Sequence, residues 1–356
     1  MAEGIEAPGS ERAAIEARLL QAGAEQAEID GCRSIEDLVK LAIALPLRPE
    51  GPVTSLRVVA DAAGITAERA AQLCTVAGLR VDDVDAEAWF GSDAVWLADV
   101  EAAAVIFGES ATLALVRRAG AATSQLARAS GAAFRVSVLG PDLTDASPAL
   151  GHVERNLGSR DLAAIYIRAF SQLFRHHLLR TVRTDTVAAG SYGELRPMAV
   201  GFVDLASSTE LGERISAAEL ANLIVEFDEM AFEAATRAGA RVVKTIGDEV
   251  MLAADEPGPV TETALALVER CRQHATFASA RGAVALGPVL EQDGDCYGPV
   301  VNRAARLVAA AADGSVVADR NVLDHLSTLV PAWRTTALAP VELRGIGEVE
   351  WGTVDR

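Results

Sequence analysis

Two aspartates occupy positions where a chain can build a site for divalent cations. Asp204 follows the apolar segment "AVGFV", which predicts a buried strand, and Asp248 lies in the turn of "TIGDEV". A carboxylate at the end of a strand and another in a neighbouring turn can meet at one edge of a sheet. Oxygen ligands of this kind suit Mg²⁺ or Mn²⁺, which usually share them with substrate phosphates. Each aspartate alone also fits a simpler role, Asp204 as a helix cap and Asp248 as a turn former.

A second group of polar residues lies in "DGDCYGPVVNRAARL". Asn302 and Arg306 are four positions apart in a predicted helix and so share one face, and Asp295 lies on the loop that leads into it. An arginine with an amide beside it can stabilise charge that builds on phosphate oxygens in a transition state. An amphipathic surface helix is the alternative interpretation of the same spacing.

The elements that must position these residues begin near residue 198. "MAVGFVDL" predicts a strand, and the amphipathic segment after it predicts a long helix with Thr209 as N-cap and Gly239 beyond its end. Two apolar runs around a Gly-Asp turn follow, then a helix and further strands. The order β-α-β-β-α-β predicts an α+β fold, a ferredoxin-like sheet with helices on one face.

The residues before this segment have a helical rather than a strand-like hydrophobic pattern. Ala-rich windows with apolar spacings of three and four predict an all-helical domain over residues 1–185. Small and turn-forming residues predict a linker over 186–197, which leaves 198–356 as the second domain.

Composition narrows the range of partners. The 356 residues carry a net charge of -18. The resulting negative field repels nucleic acid and phosphates, so a phosphate ligand needs local positive groups or metal ions to hold it. No long uncharged apolar run predicts a membrane span. Four scattered cysteines and an acidic N-terminus without a signal-like pattern predict a cytoplasmic protein with free thiols.

Three segments, "FVDLASST", "VKTIGDEVM" and "DCYGPVVNRAARL", resemble in order and spacing the catalytic domain of the class III nucleotidyl cyclases. The resemblance covers roughly residues 196–356. It implies conversion of ATP to 3′,5′-cyclic AMP and pyrophosphate by in-line attack of the ribose 3′-oxygen, assisted by two divalent ions, Mg²⁺ or Mn²⁺. The implied roles are metal binding by Asp204 and Asp248, purine selection by Lys244 and Asp295, and transition-state stabilisation by Asn302 and Arg306.

The implied purine-selecting role of Lys244 and Asp295 agrees with the hydrogen-bonding groups of adenine. Adenine offers an amino donor, which a carboxylate such as Asp295 can accept, and a ring-nitrogen acceptor, to which Lys244 can donate. Guanine presents the reverse pattern, so the pair favours ATP over GTP. Lys244 is also one of only two lysines in the chain, the other being Lys40, and its slim single-point donor fits a ring nitrogen better than a guanidinium fork would. A guanylate cyclase remains the alternative within enzymes.

The resemblance also implies a dimer, because in this family the metal pair of one chain works with the purine and transition-state residues of its partner. One chain with all six residues therefore implies a homodimer with two composite active sites. The backbone carbonyl of Leu205 is a further implied metal ligand.

The triphosphate contacts depart from the family pattern. Some relatives carry an arginine at the position of Pro288. Phosphate contact then falls to Arg344 in "ELRGIGEVE" and to the backbone amides of Ala206, Ser207 and Ser208 at the predicted helix start.

The N-terminal half resembles the helical regulatory domain of compact actinobacterial adenylate cyclases. Residues 59–79 match a helix-turn-helix, with Gly64 at the turn and Thr66 as a cap, and a catalytically silent DNA-binding regulator is the alternative from a different class. Its second helix offers little positive charge besides Arg69, beside Glu68, which favours a packed helical pair.

Histidines lie near the junction of the two predicted domains. His152, His176 and His177 indicate pH-responsive regulation, with solvated or helix-capping histidines as the alternative. The Ala-rich helices could also enclose a small apolar ligand, which the sequence does not identify.

Overall fold

The computed structural model describes residues 8–137, 149–158, 160–185, 195–206, 216–274, 277, 279–292, 294–329 and 333–356. By its internal contacts the chain divides into two units, Met1–Thr186 and Val187–Arg356. None of the helices in the described ranges combines the length and the apolar composition that a bilayer-spanning segment needs.

The first unit is helical, as predicted, and adds one short antiparallel pair of strands. Its helices are α1 (Pro8–Gln21), α2 (Gln26–Gly31), α3 (Ile35–Ala44), a 3₁₀ turn (Leu45–Leu47), α4 (Leu56–Ala62), α5 (Ala67–Val76), α6 (Asp93–Phe107), α7 (Glu109–Ser137), α8 (Ala149–Leu157) and α9 (Arg160–Asp185). Its strands are β1 (Val53–Ser55) and β2 (Glu87–Phe90).

The segment that resembles a helix-turn-helix forms α4 and α5, joined through Gly64 at a φ of 74°. Thr66 caps α5, because its side chain accepts a hydrogen bond from the backbone N–H of Arg69. Leu73 and Cys74 of α5 are buried in a core shared with α4 and α6. The pair therefore packs as a structural unit.

The second unit is built around one large sheet. Its strands are β3 (Leu195–Ala206), β4 (Arg241–Ile246), β5 (Glu249–Ala254), β6 (Ser279–Gln292), β7 (Asp295–Tyr297), β8 (Val316–Asp319), β9 (Arg334–Ala337), β10 (Val341–Leu343), β11 (Gly347–Val349) and β12 (Trp351–Asp355). Its helices are α10 (Ala217–Ala238), α11 (Pro257–Gln273), α12 (Pro299–Ala310) and α13 (Arg320–Ser327).

The strand order β4-β5-β3-β6 confirms the predicted ferredoxin-like arrangement. Beyond β6 the sheet continues through β8, β12 and β9, and β7 pairs with the far end of β6. Strand β8 runs parallel to β6, and the other pairings in this sheet are antiparallel.

The expectation that helices cover one face of the sheet is wrong. Alternate residues of β3 point to two separate cores, with Val203 facing α10 and α11 and Phe202 facing α12. Strands buried on both faces read as continuous apolar runs, as "AVGFV" does, so the run itself indicated cover on both sides. Helix α12, with its candidate catalytic residues, lies on the face opposite α10.

The predicted start of the long helix is also wrong, although its end is confirmed. Helix α10 begins at Ala217, after a capping box in which Ser216 and Glu219 exchange hydrogen bonds of 2.8 and 3.2 Å. Thr209 lies outside the described residues. Gly239 ends the helix in the left-handed region, at a φ of 85°, which favours glycine.

Candidate active site

The candidate metal site forms where β3 ends beside the turn between β4 and β5. Asp204 is the register partner of Glu249, the first residue of β5. The backbone N–H of Leu205 donates to the carbonyl oxygen of Asp248 at 3.1 Å. The structure therefore brings the predicted Asp204 and the Asp248 turn together at one end of the strands. We call this group of strand ends the Asp204 edge of the sheet.

Arg281, which the sequence reasoning did not single out, also lies at this edge. It is the register partner of Asp204 on the adjacent strand β6. Its Nε and Nη2 donate to Asp204 Oδ2 at 3.1 and 2.9 Å. A charged residue inside the otherwise apolar "SARGAVAL" strand was the available signal, but only the register of β3 against β6 shows which carboxylate it meets.

Glu249 adds a third carboxyl group to the same edge. Burial, together with the negative charges of Asp204 and Asp248, raises its pKa from 4.5 to about 7, whereas Arg281 acts in the opposite direction. The raised pKa of Glu249 therefore reflects its burial first and the two neighbouring carboxylates second. The sequence reasoning missed Glu249 because its position in the predicted strand gave no sign of this crowding.

The donor set at this edge fits divalent cations in an open site. Carboxylate oxygens of Asp204 and Asp248, with the carbonyl of Leu205 nearby in sequence, are hard ligands of the type that Mg²⁺ and Mn²⁺ take. Within the described part of the chain, no group of three or more His, Cys, Asp or Glu side chains is arranged to hold an ion by itself. The remaining coordination positions would therefore belong to water or to a ligand.

The predicted purine pair is formed within this chain. Lys244 Nζ donates to Asp295 Oδ2 at 2.6 Å, and the backbone N–H of Cys296 donates to Asp295 Oδ1 at 2.8 Å. Burial alone would raise the pKa of Asp295, but the hydrogen bonds from Lys244 and Cys296 hold it below its ordinary value. The ionised form of Asp295 is thereby favoured. The side chains remain 41 % and 23 % exposed, so a ligand edge can reach them.

A β-bulge aims Lys244 at Asp295. In β4 the register against β5 shifts between Val242 and Lys244 and leaves Val243 as the extra residue. Val242 packs on the α10 side of the sheet and Val243 on the α12 side. Simple alternation would send Lys244 to the same side as Val242, but a bulge re-aims the residue that follows it. Sequence periodicity alone does not show this.

Asn302 and Arg306 both lie on the exposed face of α12. The opposite face is buried by Val300, Ala304 and Leu307. The shared face predicted from their spacing is therefore present.

The other predicted contacts are scattered. Arg344 is exposed in the turn between β10 and β11. Ala206 is the last residue of β3, paired with Ser279, and not the start of a helix as predicted, because the strand continues along β6 to this point. Ser207 and Ser208 lie outside the described residues.

The three histidines are placed in the first unit. His152 is on α8 and half-buried, and His176 and His177 are exposed on α9.

Comparisons with known proteins agree with this geometry. Residues 191–354 match the family of adenylate and guanylate cyclase catalytic domains. An uncharacterized protein of Mycobacterium tuberculosis is 31 % identical over 301 residues, covering 83 % of this chain and 77 % of that protein. This chain belongs to the class III nucleotidyl cyclases. The membership inferred from the three motif segments is confirmed, and the second unit of the cyclase carries a phosphorus–oxygen lyase domain.

Two further relatives of this cyclase carry more specific names. A pH-sensitive adenylate cyclase of M. tuberculosis is 28 % identical over 362 residues, covering 98 % of this chain and 88 % of that protein. An adenylate cyclase of Glutamicibacter nicotianae is 39 % identical over 155 residues, covering 43 % of this chain and 38 % of that protein.

Proposed function

We propose that this cyclase converts ATP to 3′,5′-cyclic AMP and pyrophosphate. The observation that carries the proposal is the ion pair of Lys244 with Asp295, whose atoms lie 2.6 Å apart. An ammonium next to a carboxylate matches the ring-nitrogen acceptor and the amino donor on the edge of adenine. Relatives named adenylate cyclase support the same substrate.

GTP is the disfavoured substrate. The guanine edge places a ring N–H toward the lysine and a carbonyl oxygen toward the aspartate, so donors face donors and acceptors face acceptors. A site whose polar groups would face like partners discriminates against the wrong base. The low pKa of Asp295 keeps it an acceptor, which reinforces the preference.

The reaction needs charge compensation at the phosphates, and residues of β3, the β4–β5 turn, β6 and α12 supply it. Asp204 and Asp248 would hold two divalent cations, Mg²⁺ or Mn²⁺, which when bound supply positive charge for the attacking and leaving oxygens. Arg281 stands beside Asp204 with a guanidinium suited to phosphate oxygens. Asn302 and Arg306 donate hydrogen bonds from α12 to the charge that develops in the transition state.

The active site is proposed to be composite, formed by a homodimer. Asp248 follows Lys244 by four residues in one β-hairpin, yet the family arrangement assigns the two to different sites. A two-fold axis then generates two equivalent sites, each with the Asp204 edge of one chain and the Lys244, Asn302 and Arg306 set of the other.

Product analysis tests the activity directly. The purified chain is incubated with ATP or GTP and with Mg²⁺ or Mn²⁺, and the product is identified chromatographically. Cyclic AMP from ATP at a rate well above any cyclic GTP from GTP is expected. Cyclic GTP as the main product would overturn the substrate assignment, and no cyclic product under any of the four conditions would overturn the enzymatic one.

We also propose that the first unit regulates the cyclase in response to pH, in the cytoplasm. Histidine is the side-chain type that proteins most often use as a pH switch, and this unit carries His152, His176 and His177. The similarity to a pH-sensitive adenylate cyclase extends over both units. The experiment compares the pH profile of the parent with that of His176→Gln/His177→Gln and of a control in the second unit, His325→Gln. A shifted profile in the double variant alone supports the proposal, and identical profiles in all three contradict it for these two residues.

A DNA-binding function for the first unit is not favoured. Arg69, the basic residue of the second helix of the pair, is held by carboxylates of the same unit: Nε lies 2.5 Å from Glu101, and both Nη atoms lie within 2.8 Å of Glu109. Its charge is already compensated, so it adds little attraction for phosphates.

A further inference from the structure

A partly buried ion pair joins α12, which bears Asn302 and Arg306, to the sheet beneath it. Arg303, the residue between Asn302 and Arg306 that turns toward the sheet, donates from Nε to Asp319 Oδ2 at 2.7 Å. It also donates from Nη2 to the carbonyl oxygen of Leu286 at 3.2 Å. One side chain of α12 is thus tied to the last residue of β8 and to the backbone of β6.

Asp319 is the centre of this arrangement. Its side chain is 4 % exposed, and it accepts from the backbone N–H of Val322 at 3.1 Å, which caps α13. The N–H of Leu286 also points at it, at 3.3 Å. The carboxylate therefore fixes α12, α13 and β6 relative to the end of β8.

Burial of this pair has an energetic cost. Burial raises the pKa of Asp319, although Arg303 and the backbone N–H groups of Val322 and Leu286 act to lower it. The carboxylate thus carries a desolvation cost that its hydrogen-bond partners oppose. Replacing such a buried pair by neutral groups is often neutral or stabilising, so its presence calls for a geometric explanation.

The backbone of β6 is shaped to let α12 approach. A Cβ atom at Gly287 would lie 3.0 Å from Val300 Cγ2 and 3.6 Å from Arg303 Nη2. The missing side chain therefore leaves room for the first turn of the helix and for the guanidinium. This close approach is independent of the ion pair, and it shows that α12 is held tightly at the end that bears Asn302.

We propose that Arg303 is a positioning residue, which through Asp319 and Leu286 fixes the rotation and axial placement of α12 so that Asn302 and Arg306 reach the transition state. The inference rests on the proposed cyclase reaction. A rotation of α12 by a small angle would move both donors together, since they share one exposed face. Displacements of about 1 Å can cost about 100-fold in rate.

The test separates positioning from stability with Arg303→Met/Asp319→Asn. The asparagine can still cap α13 through its carbonyl oxygen, and no unpaired charge is left buried, unlike in Arg303→Met alone. We expect the double variant to melt close to the parent and above Arg303→Met. Its kcat for ATP should nevertheless fall about 10-fold or more, with KM changed less than about 3-fold, since α12 is no longer tied to the sheet.

Three further measurements complete the experiment. Hydrogen exchange at the α12 amides should be faster in the double variant than in the parent. Arg303→Lys keeps the positive charge but cannot donate to Asp319 and Leu286 at the same time, as a guanidinium does. Its kcat should lie between those of the parent and the double variant. Arg320→Met removes an exposed pair with Asp324 on α13 and should match the parent in every respect.

A double variant with parental kcat and parental exchange would overturn the proposal and leave the pair a structural contact. A parent that makes no cyclic nucleotide would instead refute the proposed function, and exchange at α12 would still decide whether Arg303 fixes the helix.

Discussion

Arg281 and Asp204 face each other across β6 and β3, with the guanidinium Nη2 2.9 Å from the carboxylate. This pair joins a candidate phosphate contact to a candidate metal ligand at the edge of one sheet. In an acidic chain with a net charge of -18, a triphosphate needs local positive charge, which divalent cations at Asp204 and Asp248 would supply together with Arg281.

Arg281→Met is therefore expected to weaken ATP binding. Loss of hydrogen bonds to a charged group should raise the KM for ATP about 10-fold or more. Steady-state kinetics at saturating Mn²⁺ measure the effect, with the exposed Arg237→Met on α10 as control. An unchanged KM would remove Arg281 from the proposed set of phosphate contacts.

Lys244→Arg should retain the fold and lose most turnover of ATP. The guanidinium fork is too broad to replace a single donor to a ring nitrogen, and a lost charged hydrogen bond lowers kcat/KM about 10-fold to 100-fold. Thermal melting should stay near that of the parent, because the side chain is 41 % exposed. Parental kcat/KM in a folded Lys244→Arg chain would contradict the purine-binding role.

Complementation tests the composite site. Asp204→Ala and Lys244→Ala chains should each be inactive. An equimolar mixture should recover about a quarter of the parental activity, since half the dimers are mixed and each has one intact site. A mixture of Asp204→Ala with Asp248→Ala is the control and should stay inactive, because both changes affect the same half of the site. No recovery in mixed dimers of confirmed assembly would contradict the shared site.

Glu249 should make stability depend on pH when divalent ions are removed. Its pKa is raised to about 7 in the folded chain from 4.5, so the folded state holds the proton more tightly than the unfolded state does. The resulting stabilisation is present below the unfolded pKa and is lost as the pH rises toward 7.

Melting in a chelator therefore compares the parent with Glu249→Gln across this range. The melting temperature of the parent should fall relative to that of the variant as the pH rises from about 4.5 to about 7, and added Mg²⁺ should reduce the difference because it favours the ionised carboxylate. If the melting temperatures of the parent and of Glu249→Gln changed equally with pH, the pKa of Glu249 would not be raised in the folded chain.

Much of the second unit could be predicted from its sequence. The order of apolar runs and amphipathic segments predicts β-α-β-β-α-β, and Gly239 marks a helix end because glycine adopts a positive φ readily. Spacing places Asn302 and Arg306 on one face of α12. Such features depend on residues close in the chain, which is why local patterns reveal them.

Tertiary structure decided the remaining features of the site. The partner of Asp204 was set by strand register, the direction of Lys244 by a bulge at Val243, and the support of α12 by the contact of Arg303 with Asp319. The sequence by itself determined the kinds of residue available, the order of the elements and the family. Which distant residues meet depended on how strands pair and helices pack, because those contacts join parts of the chain that no local periodicity relates.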